Sequence, residues 1–152
     1  MLKEGDKAPD FTLSNQKGEA ITLSTELAKG ELALYFYPAD FTPVCTAEAC
    51  AFRDTYADLQ KANANVIGIS PQSVDSHRRF ADAFNIPFAL LFDEGKKVIR
   101  AYGVDGPLGF GVRRATFHIG TDGVIRKRVV SDLFVGGHLS LVKDLAGSVK
   151  PT

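Results

Sequence analysis

The run Glu31-Leu32-Ala33-Leu34-Tyr35-Phe36-Tyr37 is almost unbroken in its apolar character. It reads as a strand covered on both faces, which requires a layer of structure on either side of a sheet. The adjoining segment narrows the possibilities further: Pro38-Ala39-Asp40-Phe41-Thr42-Pro43-Val44-Cys45-Thr46-Ala47-Glu48-Ala49-Cys50. Thr42-Pro43 is a strong helix start, since threonine can cap free backbone N–H groups and proline is pre-set for the first helical position. Cys45 then falls in the first helical turn, where the positive end of the helix dipole favours an anion. Cys50 lies a turn and a half further on, and the chain has no other cysteine. Two thiols at a strand-to-helix junction mark a redox site.

The flanking sequence repeats the alternation of strand and helix. Residues 43 to about 62 read as a helix with Ala49, Phe52, Tyr56 and Leu59 on its inner face. Asn65 to Ser70 is a second buried strand, and residues 73–84 a second helix whose inner face is Phe80, Ala83 and Phe84. Phe88 to Phe92 reads as a strand and Lys96 to Tyr102 as a short helix. Residues 115–119 and 124–130 flank Thr121-Asp122-Gly123, a hairpin turn, before a last helix over Gly137 to Ala146. Before all of these, Phe11-Thr12-Leu13 and Ile21-Thr22-Leu23 surround Gln16-Lys17-Gly18 as a small N-terminal hairpin. The expectation is an α/β chain with a thioredoxin-like fold: a mixed central sheet flanked by helices, extended by an N-terminal hairpin.

At 152 residues the chain fits one domain, 1–152, able to bury a core without disulfide staples. Lys+Arg and Asp+Glu are equal at 18 each, which argues against nucleic acid or an anionic membrane as main partner. The Arg126-Lys127-Arg128 stretch reads as a solvated strand face. With no apolar signal core after Met1 and no membrane-length apolar run, a cytoplasmic protein is the expectation. A cysteine pair in a reducing compartment points to catalysis or metal binding, not to a staple. His77 and His138 are not grouped with the cysteines as zinc ligands would be, so no metal and no cofactor is expected. His118 reads as a sheet-face residue, and Phe36, Phe80 and Phe117 as core.

Several of these segments together resemble the peroxiredoxins. Gly5-Asp6-Lys7-Ala8-Pro9-Asp10-Phe11-Thr12-Leu13 is similar to that family's first hairpin. Pro38, Thr42 and Cys45 match its Pro-x-x-x-Thr-x-x-Cys motif, and Arg114-Ala115-Thr116-Phe117 matches the arginine and strand start that complete its site. Cys50, five residues after Cys45, points to the bacterioferritin comigratory protein or peroxiredoxin Q branch. One departure is Gly120, where the family's hairpin usually carries an aspartate.

The resemblance implies a thiol peroxidase acting on hydrogen peroxide and organic hydroperoxides. Cys45 is the implied nucleophile and Cys50 the resolving thiol, the two forming an intramolecular Cys45–Cys50 disulfide that thioredoxin or a similar dithiol reduces. Ionisation alone is not enough for such an enzyme: a free thiol is about 3% thiolate at pH 7, so full ionisation gains only about 30-fold. The rest must come from holding the peroxide and stabilising its leaving oxygen, which Thr42 and Arg114 have the donors to do. Pro38 would shield the sulfur, and Glu48, on the helical face of Cys45, could orient Arg114. A monomer or weak homodimer is expected. Two other functions stay open: a protein thiol–disulfide oxidoreductase, though the usual Cys-x-x-Cys pair is missing, and a non-catalytic redox sensor. In an ideal helix residues five apart lie about 8.6 Å apart, beyond disulfide range, so bonding Cys45 to Cys50 would require the helix to open.

Overall fold

A computed structural model of the chain describes residues 1–147; residues 148–152, the tail of the expected single domain, lie outside the described residues. The apolar run becomes strand β3 (Glu31–Phe36), with Tyr37 just beyond its end. It lies between β4 (Ala64–Ser70), paired parallel, and β6 (Ala115–Ile119), paired antiparallel. β5 (Leu90–Phe92) extends the parallel side, and β7 (Ile125–Val130) forms the hairpin with β6. The N-terminal hairpin, β1 (Thr12–Ser14) and β2 (Ala20–Thr22), joins beside β5 through the pair Ser14–Phe92. The seven strands run in the order β2-β1-β5-β4-β3-β6-β7, a mixed sheet of the thioredoxin kind.

Period-two alternation along β3 divides the core. Leu32, Leu34 and Phe36 face one side, packing with Ile67, Ile69, Phe117, Leu23 from α1 (Leu23–Leu27), and Ile99 from α4 (Lys97–Ala101). Ala33, Tyr35 and Tyr37 face the other, covered by α2 (Pro43–Lys61), α3 (Val74–Phe84) and α5 (Gly136–Gly147) through Phe52, Leu59, Phe80, Leu141 and Leu145. Each such side chain contributes about 1.5–3 kcal/mol by leaving water, so both layers are needed to hold β3. Cys45 lies on the second side, just beyond β3 where the chain turns into α2.

Three local differences from the sequence expectation have simple causes. α1 is five residues long, too short to show a helical period in the sequence. On α3 the buried alanine is Ala81, and Ala83 is exposed, because the face turned to the sheet runs through His77, Phe80 and Ala81. β5 begins only at Leu90: Phe88 is buried but outside the ladder.

Tyr35 shows how tightly the second layer is filled. Its ring packs edge-on against Phe52 at 4.9 Å, stacks near Tyr37 at 5.4 Å and covers its parallel neighbour Gly68. A Cβ at Gly68 would stand 2.7 Å from the tyrosine Cζ, so the ring occupies space that only glycine leaves open. The buried Tyr35 hydroxyl has no hydrogen-bond partner among the described residues. An unpaired buried hydroxyl costs free energy that phenylalanine avoids. Tyr35→Phe is therefore expected to stabilise the fold by about 1 kcal/mol in urea unfolding, and a destabilisation would show that the hydroxyl is bonded in solution.

Candidate active site

Between β3 and α2 the chain makes a short, firmly held loop. Asp40 is buried, and each of its carboxylate oxygens is bonded: Oδ1 accepts from the Tyr37 hydroxyl at 2.6 Å, and Oδ2 from the Ser76 hydroxyl at 2.7 Å. His77 Nδ1 lies 2.7 Å from the same Oδ2, and its Nε2 lies 3.1 Å from the Leu91 carbonyl. Each ring nitrogen faces an oxygen. The loop is thus tied to α3 and to the middle of β5 by a buried acid–imidazole pair. Phe41 comes next with φ +66°, a left-handed backbone that is unusual for a bulky residue. Its ring leans on Phe80 and Phe84 of α3, with centroids 5.2 and 6.2 Å away.

Thr42 is the N-cap residue of α2 and Pro43 its first helical residue. The expected side-chain cap is not made. The Thr42 hydroxyl instead turns back and donates to the Ala39 carbonyl at 2.9 Å, satisfying the loop and not the helix. The hydroxyl keeps its lone pairs free to accept. Cys45, in the first turn, is 1% exposed.

Arg114 reaches Cys45 from the opposite strand. It stands immediately before β6 and is 4% exposed, with Nη2 donating to Cys45 Sγ at 3.1 Å and Nη1 donating to Glu48 Oε1 at 2.9 Å. Its Nε donates to the Asp132 carbonyl at 3.2 Å, and its backbone N–H to Asp132 Oδ1 at 3.0 Å. The neighbouring Arg113 points the other way, as successive extended residues do, and pairs near the surface with the Asp132 carboxylate at 2.9 Å. One aspartate thereby holds both arginines, fixing which of them faces the sulfur. The sequence carries no signal for Asp132, which lies 18 residues from Arg114.

Glu48 is fully buried, and burial pushes its carboxyl up to about 7 against the opposing pull of Arg114. Its Oε2 has no hydrogen-bond partner among the described residues, and His138 Nδ1 is 3.8 Å away. His138 is itself buried, with Nδ1 2.7 Å from the Thr116 hydroxyl and Nε2 2.9 Å from the Ser131 carbonyl. In the sequence His138 stands out only as a zinc ligand without companions; its place behind Glu48 depends on the packing of α5 across the sheet.

Of the other residues singled out, Pro38 is half-buried at the end of β3. Cys50 is partly buried, and both cysteines are free within one continuous α2. His118 faces Glu31 across the β3–β6 pair at 3.1 Å. Among the described residues no group of three or more His, Cys, Asp or Glu could hold a metal ion, and no helix is long and apolar enough to cross a membrane.

The arrangement is a sulfur in the first turn of a helix, faced by a buried guanidinium, with a hydroxyl at the helix N-cap. Known proteins are similar to this chain in sequence and in shape. The profile of the AhpC/TSA family matches residues 4–128. The chain belongs to the AhpC/TSA family, as a peroxiredoxin. It is 46% identical over 127 residues to the chloroplastic peroxiredoxin Q of Arabidopsis thaliana, a match covering 82% of this chain and 58% of that one. The chain thus spans less than two thirds of that relative's length. Peroxidoxin BcpB from Mycobacterium tuberculosis superposes with a TM-score of 0.91 at 34% identity, covering 99% of this peroxiredoxin and 100% of that chain. The bacterioferritin comigratory protein of Xanthomonas campestris, described for its alkyl peroxide reduction activity, superposes with a TM-score of 0.83 at 30% identity over 92% of each chain.

The Asp40–His77 pair gives a direct test of what holds this peroxiredoxin's site loop. His77→Leu leaves the Asp40 carboxylate buried without its imidazole partner, and breaking a buried pair costs about 3–5 kcal/mol. The expected result is a loss of that size in denaturant unfolding; a loss below about 1 kcal/mol would show the pair is not structural.

Proposed function

We propose that this peroxiredoxin reduces hydrogen peroxide and organic hydroperoxides with Cys45 as nucleophile and Cys50 as resolving thiol. The observation that carries the reading is the Arg114 guanidinium, donating to Cys45 Sγ at 3.1 Å from a strand 69 residues away. A cation held there favours the thiolate and stands where negative charge develops on a peroxide's leaving oxygen. The Thr42 hydroxyl, its hydrogen committed to the Ala39 carbonyl, offers a lone pair to the peroxide's O–H. Attack of the thiolate on the terminal peroxide oxygen forms an S–O bond and breaks the O–O bond. The products are a sulfenic acid at Cys45 and an alkoxide or hydroxide that is protonated to alcohol or water. The Xanthomonas relative's activity toward alkyl peroxides supports the inclusion of organic substrates.

Resolution comes when the Cys50 thiolate attacks the sulfenic sulfur, expelling water and forming the Cys45–Cys50 disulfide. A dithiol such as thioredoxin then reduces it. Both cysteines lie on one unbroken helix, at a spacing of about 8.6 Å between Cα atoms in ideal geometry, so the first turns of α2 must open before the sulfurs meet. Within residues 43–50 the buried side chains are Cys45, Glu48 and Ala49, whereas Phe52, Thr55 and Leu59 anchor the remainder. The opening segment therefore carries little of the helix's apolar packing.

Thioredoxin-coupled peroxide consumption tests the chemistry. Cys45→Ser should abolish turnover, and Arg114→Ala should slow peroxide reduction by more than the roughly 30-fold available from thiolate population. Arg113→Ala, by contrast, should be mild; the reverse ranking of the two arginines would overturn the assignment. Hydrogen exchange tests the resolution step. Residues 43–50 should be protected in the reduced protein and exchange faster in the disulfide form, and equal protection in both forms would rule out helix opening.

A further inference from the structure

Behind Arg114, the site contains one cation and two groups able to carry negative charge, all shut away from water. Arg114 is 4% exposed, Cys45 1% and Glu48 0%. If both Cys45 and Glu48 were ionised, the cluster would hold a net negative charge in the protein interior, where an unbalanced ion is strongly disfavoured. With one ionised, Arg114 balances it.

The groups facing Glu48 leave its outer oxygen in an acceptor's surroundings. Arg114 serves Oε1 alone, while Oε2 has no donor among the described residues. The nearest ionisable atom on α5 is His138 Nδ1, 3.8 Å away. Burial holds His138 below the usual histidine range, the nearby Arg114 charge adding to this against the Ser131 carbonyl and Asp132. In the neutral ring, Nε2–H donates to the Ser131 carbonyl and Nδ1 accepts from the Thr116 hydroxyl of β6. A charged Oε2 would then face a ring lone pair, acceptor against acceptor. From β3 comes Tyr35, whose buried hydroxyl stays protonated, raised first by burial and then by the charge of Glu48. Among the described residues, no element packed here offers Oε2 a second cation.

We propose that Glu48 keeps the proton that Cys45 gives up, so that the reduced site contains thiolate, guanidinium and a neutral carboxylic acid. The inference rests on the reading of Cys45 as the nucleophile. The exchange is balanced: Cys45–SH and Glu48–COO⁻ become Cys45–S⁻ and Glu48–COOH. When the thiolate bonds to the peroxide oxygen, the O–O electron pair leaves on the alkoxide and the sulfur becomes uncharged. Arg114 is then unbalanced, Glu48 ionises again, and the proton it releases balances the one the alkoxide takes up to become the alcohol. Glu48 touches no substrate in this scheme. It is a positioning residue that sets the charge Arg114 presents to sulfur. Its rise to about 7 agrees with a carboxyl that exchanges a proton near neutral pH.

Infrared difference spectroscopy on the full chain, labelled with ¹³C-glutamate, reads the proton without reference to turnover. Reduced wild type near pH 6.5 should show a protonated-carboxyl C=O band that shifts with the label and is lost in Glu48→Gln. Cys45→Ser removes the thiolate, leaves Arg114 to be balanced by Glu48 alone, and should lose most of the same band. Absence of the band in wild type overturns the proposal. So does a band that persists undiminished in Cys45→Ser, since burial alone would then protonate Glu48. Circular dichroism confirms that each variant is folded, and labelling the wild type with ¹³C-glutamate keeps the wild-type test independent of any variant. Failure of peroxide turnover, with the band behaving as stated, would overturn the peroxidase reading while leaving the proton assignment standing.

Discussion

A guanidinium buried against a sulfur is unstable unless the protein surrounds it with compensating groups, and the site of this peroxiredoxin is organised by that requirement. Arg114 is delivered by the chain leading into β6, oriented by the carbonyl and carboxylate of Asp132, and bonded to Glu48 on α2. Glu48 in turn is enclosed by α5, whose His138 is bonded to β6 and to the Ser131 carbonyl. Strand β3 lies beside β6, and its two apolar faces give the helices the layers they pack against. Loss of either Arg114 or its acidic neighbours would leave a charge in the interior without its counterpart.

The helix start is held from both ends by different means. On the loop side, Asp40 is bound by Tyr37, Ser76 and His77; on the strand side, Cys45 and Glu48 are bound by Arg114. Between these fixed points, the turns carrying the cysteines bury few apolar groups. The helix start is therefore rigid at both fixed points, and the segment between them owes its remaining stability to polar contacts, among them the one from Arg114 to the Cys45 sulfur. Losing that bond would loosen the restraint on the first turns of α2.

The strand at Glu31–Phe36, the helix beginning at Pro43 and the hairpin about Thr121-Asp122-Gly123 are legible because each is written in a local pattern: an apolar run, a cap with proline, a turn. The shared face of Cys45 and Glu48 comes from three-residue spacing. What local pattern does not carry is the depth of Glu48, since a glutamate on a helix is usually solvated and only the arrival of Arg114, 66 residues later, allows it inside. The Asp40–His77 pair spans 37 residues and the Thr116–His138 bond 22, so neither histidine has a visible partner in its own segment. The Thr42 hydroxyl departs from expectation for a related reason: a cap is the local choice for threonine, and the loop offers a competing carbonyl that only the left-handed turn at Phe41 brings close.

That turn at Phe41 has an energetic consequence of its own. A phenylalanine at φ +66° sits about 1–3 kcal/mol above its relaxed backbone, and the strain persists only while Asp40 and the rings of α3 hold it in place. If α2 opens from its N-terminus, Phe41 is the joint at which the moving segment meets the fixed one. Relaxation there returns part of what the broken helical bonds cost, narrowing the gap between closed and open forms. A residue beside Thr42, carrying no reactive group, would in that case help set how often the two sulfurs find each other.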